Sequence, residues 1–315
     1  MVRGDLLQRE SLLKHATLNK TLITVISGIL FFVTTMLFRQ HFNIMAVMGI
    51  RPSALPPVFG LMLGPFGVLG CAIGNLAADI VSGYSVLVSA LGFVAQFTYG
   101  ILPYLMWKSF DELRNKPSTP VNFINAGNVI RYVVIILINA VIMTAFLGSI
   151  IHNLGASRFI SNPTLMLLLN NIVFCIVIGI PIIILMSAIK SGIKGISLSM
   201  NERLVLIFLV AGIVSGGIIG IFVVRELSYA IADPVTMWMR IYMYIAINLI
   251  AFYMIAIVFL LYCERKITIP VESIADIARS FVSGDGERKI TIIYMNYCKN
   301  IYELLQAAAY QGFVI

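Results

Sequence analysis

The chain is poor in charge. Of its 315 residues 11% are Asp, Glu, Lys or Arg, while 60% are apolar. A soluble domain is about 25% charged and about 45–50% apolar. A water-soluble fold of this length is therefore excluded, because it could not hide that much apolar surface. Histidine is scarce too, limited to His15, His41 and His152. None follows the last hydrophobic run, which excludes a phospho-acceptor histidine on the C-terminal tail. The cysteines, Cys71, Cys175, Cys263 and Cys298, form no C-x-x-C pair. Neither a metal site nor a disulfide framework is expected of them, and the first three lie in or at apolar runs, where cysteine acts as a small hydrophobe. H-E-x-x-H, G-x-S-x-G and G-x-x-x-x-G-K-[ST] are all missing. Those spacings place metal ligands, an exposed nucleophile or a phosphate cradle. The expectation is a protein that is not an enzyme and uses no cofactor and no metal. The Gly-rich "GPFGVLGCAIG" lies inside an apolar run without a lysine and reads as packing.

What the chain does have is long apolar runs. A transmembrane helix needs about 20 mostly apolar residues. Clear runs occupy 21–38, 86–107, 129–151, 165–187, 204–224 and 242–263. The first exceeds a signal-peptide core, and no small-residue cleavage site follows it, so it reads as a permanent span. Between Phe42 and Ser82 a long apolar stretch is broken by Gly and Pro. Gly64-Pro65 divides it into two more spans, about 44–63 and 66–82. The expected fold is all-α: a polytopic transmembrane helical bundle of about eight spans with a short C-terminal coiled coil.

The net charge of +8 is distributed between the runs rather than in a basic-aromatic stripe, which argues against nucleic acid. Cytoplasmic loops collect Lys and Arg. With eight spans, one side receives Arg3, Arg9, Lys14 and Lys20, then Lys108, Arg114 and Lys116, then Lys190, Lys194 and Arg203, then Arg265 and Lys266. The other side receives Arg39, Arg51, Arg158, Arg225 and Arg240. Both termini are expected in the cytoplasm. The outer loops are short; the largest after span 6, about 225–241, is too small for a ligand-binding domain. Any ligand site falls within the bundle or at its surface.

Three residues are candidates for such a site. Asn75 and Asp79, spaced i, i+4, share a helical face near the end of the third span. An ionisable group at membrane depth is costly and faces a cavity or a partner. Asp79 reads either as part of a polar ligand site or as a helix-end residue at the interface. Arg51 precedes Pro52, with Pro56-Pro57 close behind. It lies either on a broken segment shaping a pocket or in a loop between helices. Glycines at i, i+4 (Gly60 and Gly64, Gly70 and Gly74, Gly212, Gly216 and Gly220) let helices approach closely; packing within the chain is the expected use, with dimerisation open for the last three. Asn139, Asn170, Asn171 and Asn248 read either as pocket-lining groups or as interhelical hydrogen bonds, with the second expected of each singly.

After the last span comes "CERKITIPVESIADIARSFVSGDGERK". Ile267, Val271, Ile274, Ala278 and Phe281 are spaced 4-3-4-3, a coiled-coil seam. Pro270 is expected in the first turn of this helix, where its missing N–H is harmless. Gly284-Asp285-Gly286 reads as a helix stop. A second seam follows at Tyr294, Cys298, Ile301, Leu305 and Ala308. The alternative is an amphipathic helix lying on the headgroups; the spacing favours a dimeric bundle.

Two resemblances rest on these residues. The stretch 51–107, with its Gly-Pro-x-Gly turn, "GN…D" helix and "GF…P-Y…W" helix, resembles the substrate-binding S components of energy-coupling-factor vitamin transporters, loosely over about 20–190. That resemblance implies a six-helix bundle binding a small molecule. The tail, about 264–311, resembles a HAMP domain on Pro270, Glu272, "SGD" and "KNIYELLQAAAYQ", with Lys299-Asn300 where that family usually carries an acidic pair. It implies a cytoplasmic signal relay. The implied layout is an N-terminal tail (1–19), an S-component-like membrane domain (20–190), a transmembrane hairpin (204–263) and a HAMP-like linker (264–315). The expected function is signal transduction in a bacterial inner membrane. The bundle senses a small ligand and relays it, through a tail homodimer, to a missing or separate effector. The alternative is a transporter S component working with a coupling subunit; a third reading is the remnant of a larger sensor.

Overall fold

The structure is a computed structural model that describes residues 2–41, 53–113, 121–153, 162–190, 198–230, 233–271 and 273–274. Among the described residues there are nine α-helices and no strand. They are α1 (Val2–His41), α2 (Leu55–Leu63), α3 (Pro65–Val81), α4 (Val86–Leu113), α5 (Ala126–Asn153), α6 (Asn162–Phe174), α7 (Ile180–Lys190), α8 (Met200–Ala230) and α9 (Pro234–Cys263). The chain divides into two compact units, Met1–Leu260 and Leu261–Ile315.

Among the described residues six helical stretches are long and apolar enough to cross a bilayer: Asn19–Arg39, Val86–Leu113, Ala126–Ile150, Thr164–Ile189, Met200–Leu227 and Thr236–Val271. They coincide with the six clear runs, and the protein is a multi-pass membrane protein. The remaining two expected spans come out shorter. α2 has 9 residues and α3 has 17, against about 20 for a full crossing. The break between them falls where the sequence places it. Gly64 alone joins the two helices at φ 72°, ψ −159°, a backbone region that is essentially glycine-only. Pro65 then opens α3, where its missing N–H is one of the orphans of the first turn.

The helix starts are written locally. Ser199 and Glu202 form a capping box on α8: the serine hydroxyl accepts from Glu202 N–H at 3.2 Å, and the carboxylate accepts from Ser199 N–H at 2.9 Å. Asp233 accepts from Thr236 N–H at 2.9 Å, with Pro234 as first residue of α9. Asn125 does the same for α5 through Asn128 N–H at 2.8 Å.

The contacts fix the directions of the helices in the first unit. Thr24 donates to the Phe66 carbonyl at 3.2 Å near the start of the apolar part of α1, and Arg39 reaches Ala78 at its end, so α1 and α3 run parallel. Their backbones touch. A Cβ on Gly70 would collide with the Thr24 carbonyl, and one on Gly74 with the Gly28 carbonyl. α4 runs antiparallel to α3, its Gly92 beside Asp79 and its Gly100 beside Val68. α2 leans on α4 so closely that a Cβ on Gly60 would collide with the Gly100 carbonyl. Without water to exclude, this kind of backbone approach is what holds membrane helices together.

α8 and α9 form an antiparallel hairpin by a different device. A Cβ on Gly212 would meet the Tyr253 ring at 2.6 Å; one on Gly216 or Gly220 would meet Leu249 or Ile245 at 2.9 Å. The three glycines make room for three large side chains, themselves spaced i, i+4. The Gly212–Gly220 face is thus occupied within the chain.

Prolines interrupt two of the spans. Pro103 sits inside α4 and cannot donate to the carbonyl four residues back. That carbonyl belongs to Tyr99, and Asn139 Nδ2 supplies the missing donor at 3.0 Å. Pro181 follows a π-helical turn, Cys175–Gly179, that separates α6 from α7. The span expected to be continuous over 165–187 is therefore widened by one turn at its centre.

The second unit begins with the end of α9. Helix continues from Leu261 through a π-helical turn, Glu264–Thr268, to Val271. This corrects the placement of Pro270, which does not open a new helix. It lies two residues beyond the π turn, as Pro181 does, because a widened turn accommodates the residue that lacks an N–H. Of the first seam, Ile267, Val271 and Ile274 are exposed. Ala278 and Phe281 of that seam, and Ile301 and Leu305 of the second, lie outside the described residues.

Candidate functional site: polar clusters and an apolar cleft in the bundle

The first cluster stands where α1 and α3 end. The Arg39 guanidinium pairs with Asp79 Oδ1. It also donates to the Ala78 carbonyl at 2.8 Å and to Ser82 Oγ at 2.6 Å, and it lies over the Tyr84 ring at 5.3 Å. Asn75 Nδ2 donates to Asp79 Oδ2 at 2.8 Å. Asn75 and Asp79 are each 4% exposed. The i, i+4 spacing therefore does bring these two residues together, and both carboxylate oxygens are engaged. Gly92 of α4 closes the remaining side: a Cβ there would stand 2.7 Å from Asp79 Oδ2. Arg39 also sits on the last carbonyls of α3, where a cation is favoured by the helix dipole. The cluster is a clasp of α1 and α3 with Gly92 of α4 packed against it. Arg51, the third candidate, lies outside the described residues.

Reading the sequence missed Arg39 as the partner of Asp79. The available signal was its place: an arginine ending one apolar run and an aspartate ending another.

A second clasp joins α4 to α5. Arg131 Nη1 pairs with Asp111 Oδ1 at 2.7 Å, its second nitrogen donates to the Trp107 carbonyl, and the guanidinium stacks 3.9 Å from the Trp107 ring. The side chains are 10% and 4% exposed. The residues stand at the adjoining ends of α4 and α5.

Between the clasps lies a network of neutral polar groups. Ser53, just before α2, donates to the Asn170 carbonyl at 3.2 Å, and Asn170 Nδ2 donates back to the serine oxygen at 3.2 Å. Tyr99 hydroxyl and Cys175 sulfur are 3.3 Å apart. Tyr132 hydroxyl donates to the Cys175 carbonyl at 2.7 Å, at the mouth of the π turn. Tyr242 reaches Asn170 Oδ1 at 3.3 Å. The network ties α2, α4, α5, α6 and α9, and Asn139 Oδ1 within it is buried without a hydrogen-bond partner.

The Tyr132 contact is testable. A Cβ on Gly179 would collide with the Tyr132 hydroxyl, so the glycine is what admits the ring. Tyr132→Phe is expected to cost about 0.5–1.5 kcal/mol, the net worth of one hydrogen bond, in mixed-micelle unfolding. Gly179→Ala is expected to cost more, and the double variant less than the sum, because the phenylalanine removes the colliding oxygen. Strictly additive costs would mean that the hydroxyl does not occupy the turn.

Among the described residues no group of three or more His, Cys, Asp or Glu could hold a metal ion. Among the described residues there is instead an apolar cleft of about 600 Å³. Val173, Phe174, Val177 and Ile178 form one wall. Ile213, Gly216, Gly217, Gly220, Ile221 and Val224 of α8 form the other, with Ile245 and Leu249 of α9 at its base. The volume is that of a small-ligand site, about 300–1,000 Å³, but none of its lining side chains is polar. The cleft follows the π turn along Val177 and Ile178. Comparison with protein-family models, with curated proteins and with solved structures gives no match for the chain.

Proposed function

We propose that this chain is a bacterial membrane signal-transduction protein with eight crossings and both termini in the cytoplasm, whose bundle responds to a small ligand and whose tail relays the response as a HAMP-like homodimer. The observation that carries the reading is the tail's apolar face. Val271 and Ile274, both past the π turn, are 49% and 66% exposed in a single copy, at the spacing a second copy would cover. The short helix α2 and the helix α3, joined at Gly64, count as one re-entering pair of crossings, which keeps the Lys/Arg-rich segments on one side. Two discrete packings of the tail, biased by the state of the bundle, would constitute the signal.

Cysteine cross-linking of the full chain in native membranes tests this. Ile274→Cys and Ala278→Cys are expected to give strong dimer bands, and Arg265→Cys a weak one. Equal cross-linking around the helix would overturn the dimer seam. Co-purification with an ATPase and a coupling subunit would overturn signalling in favour of the transporter S component.

A further inference from the structure

We infer that the apolar cleft between the Val173–Ile178 segment and α8 is a binding site for one acyl chain of a bilayer phospholipid. The inference is independent of any role for the tail. Water is a poor occupant, because a buried water needs two to four polar partners and no polar side chain lines the cleft. A second copy of the chain is a poor one by size. A helix with its side chains is about 10–12 Å across and rises 5.4 Å per turn, so roughly 400–600 Å³ is needed for a single turn. The cleft, at about 600 Å³, would seat little more than that.

An acyl chain meets both conditions, and it has a way in. Ile213 and Ile221 line the cleft and are also 49% and 72% exposed, on a helix that crosses the membrane. The cleft is therefore continuous with the lipid-facing surface of α8. Its α8 wall leaves room at one point: a Cβ on Gly217 would meet nothing within 4 Å, whereas the neighbouring Gly216 is filled by Leu249. A chain lying there would contact Gly217 directly and support the wall beside the π turn.

The test is photolabelling of the full-length protein in phosphatidylethanolamine–phosphatidylglycerol vesicles doped with a phospholipid that carries a diazirine at mid-chain. Label is expected to concentrate on Val177, Ile178 and Gly217 above the level at Val210 and Val214, which face outward. Gly217→Phe is expected to lower cleft labelling about tenfold, since displacing even two methylenes of the chain from contact is enough for that. Labelling at Val210 and Val214 should not change. Ile221→Phe, which narrows the same cleft, is the second variant should the first fail to fold. Cleft labelling no higher than at Val210 and Val214, or unchanged in the variants, would overturn the site. Disulfide-linked dimers of Gly217→Cys would overturn it too, giving the cleft to a second copy.

Discussion

Asp79→Ala is expected to destabilise the protein by about 3–5 kcal/mol, the cost of removing one partner of a buried ion pair. The pair between Arg39 and Asp79 has side-chain exposures of 18% and 6%, so the guanidinium left behind stays largely shielded from water. An unpaired arginine in a transmembrane segment is itself costly. Asn75 would lose its acceptor in the same variant. The double variant Arg39→Met with Asp79→Leu is expected to recover much of the loss, because replacing both charges by apolar groups of similar size leaves nothing buried and uncompensated. Unfolding in mixed micelles, run as a double-mutant cycle, measures both. A cost below about 1 kcal/mol for Asp79→Ala would place the pair among solvated surface bridges and remove the clasp from the account of stability. A ligand that needed this carboxylate would show differently: Asp79→Asn would abolish binding while the fold survived.

The glycines divide into opposite signs. Gly60→Ala is expected to destabilise by about 1–3 kcal/mol or more, as overpacking does, because its new methyl would fall on the Gly100 carbonyl. The obstruction is backbone, so α2 as a whole would have to retreat from α4. Gly70→Ala and Gly74→Ala belong to the same class, through the carbonyls of Thr24 and Gly28. Gly217→Ala is expected to be neutral or to stabilise by about 0.5–1 kcal/mol, since the methyl meets open space and glycine is a poor helix residue. Thermal denaturation in detergent compares the four directly. Destabilisation by Gly217→Ala equal to that by Gly60→Ala would contradict the open space beside Gly217.

Much of this architecture was legible in the residues. Apolar run length located all six long helices, because lipid demands internal satisfaction of every backbone group and leaves helix as the economical answer. Gly64-Pro65 marked a turn that only glycine can make. Asn75 and Asp79 were found through helical spacing, a local rule. Their partner Arg39 was not, since which helix lies beside α3 depends on long-range packing that no local pattern encodes. The pairing of Asn139 with the Tyr99 carbonyl was hidden for a similar reason. Pro103 announced a free carbonyl, but nothing local said which helix would answer it. Arg51, Ala278, Phe281, Ile301 and Leu305 fall outside the described residues. The cleft left no trace in the sequence at all. It is bounded by ordinary valines, isoleucines and glycines, and where they meet depends on long-range packing.

The two π turns also change how the helices should be counted. Each α-helical residue advances the wheel by about 100°, and a π turn adds one residue to the circuit. Everything beyond it is set back by roughly that angle relative to an unbroken helix. A helical wheel drawn across Cys175–Gly179 thus assigns the wrong azimuth to α7. In the tail the same offset falls within Glu264–Thr268, so Ile267 and Val271 do not share the alignment that their spacing of four implies. Val271 and Ile274, both past the offset, do keep a common phase.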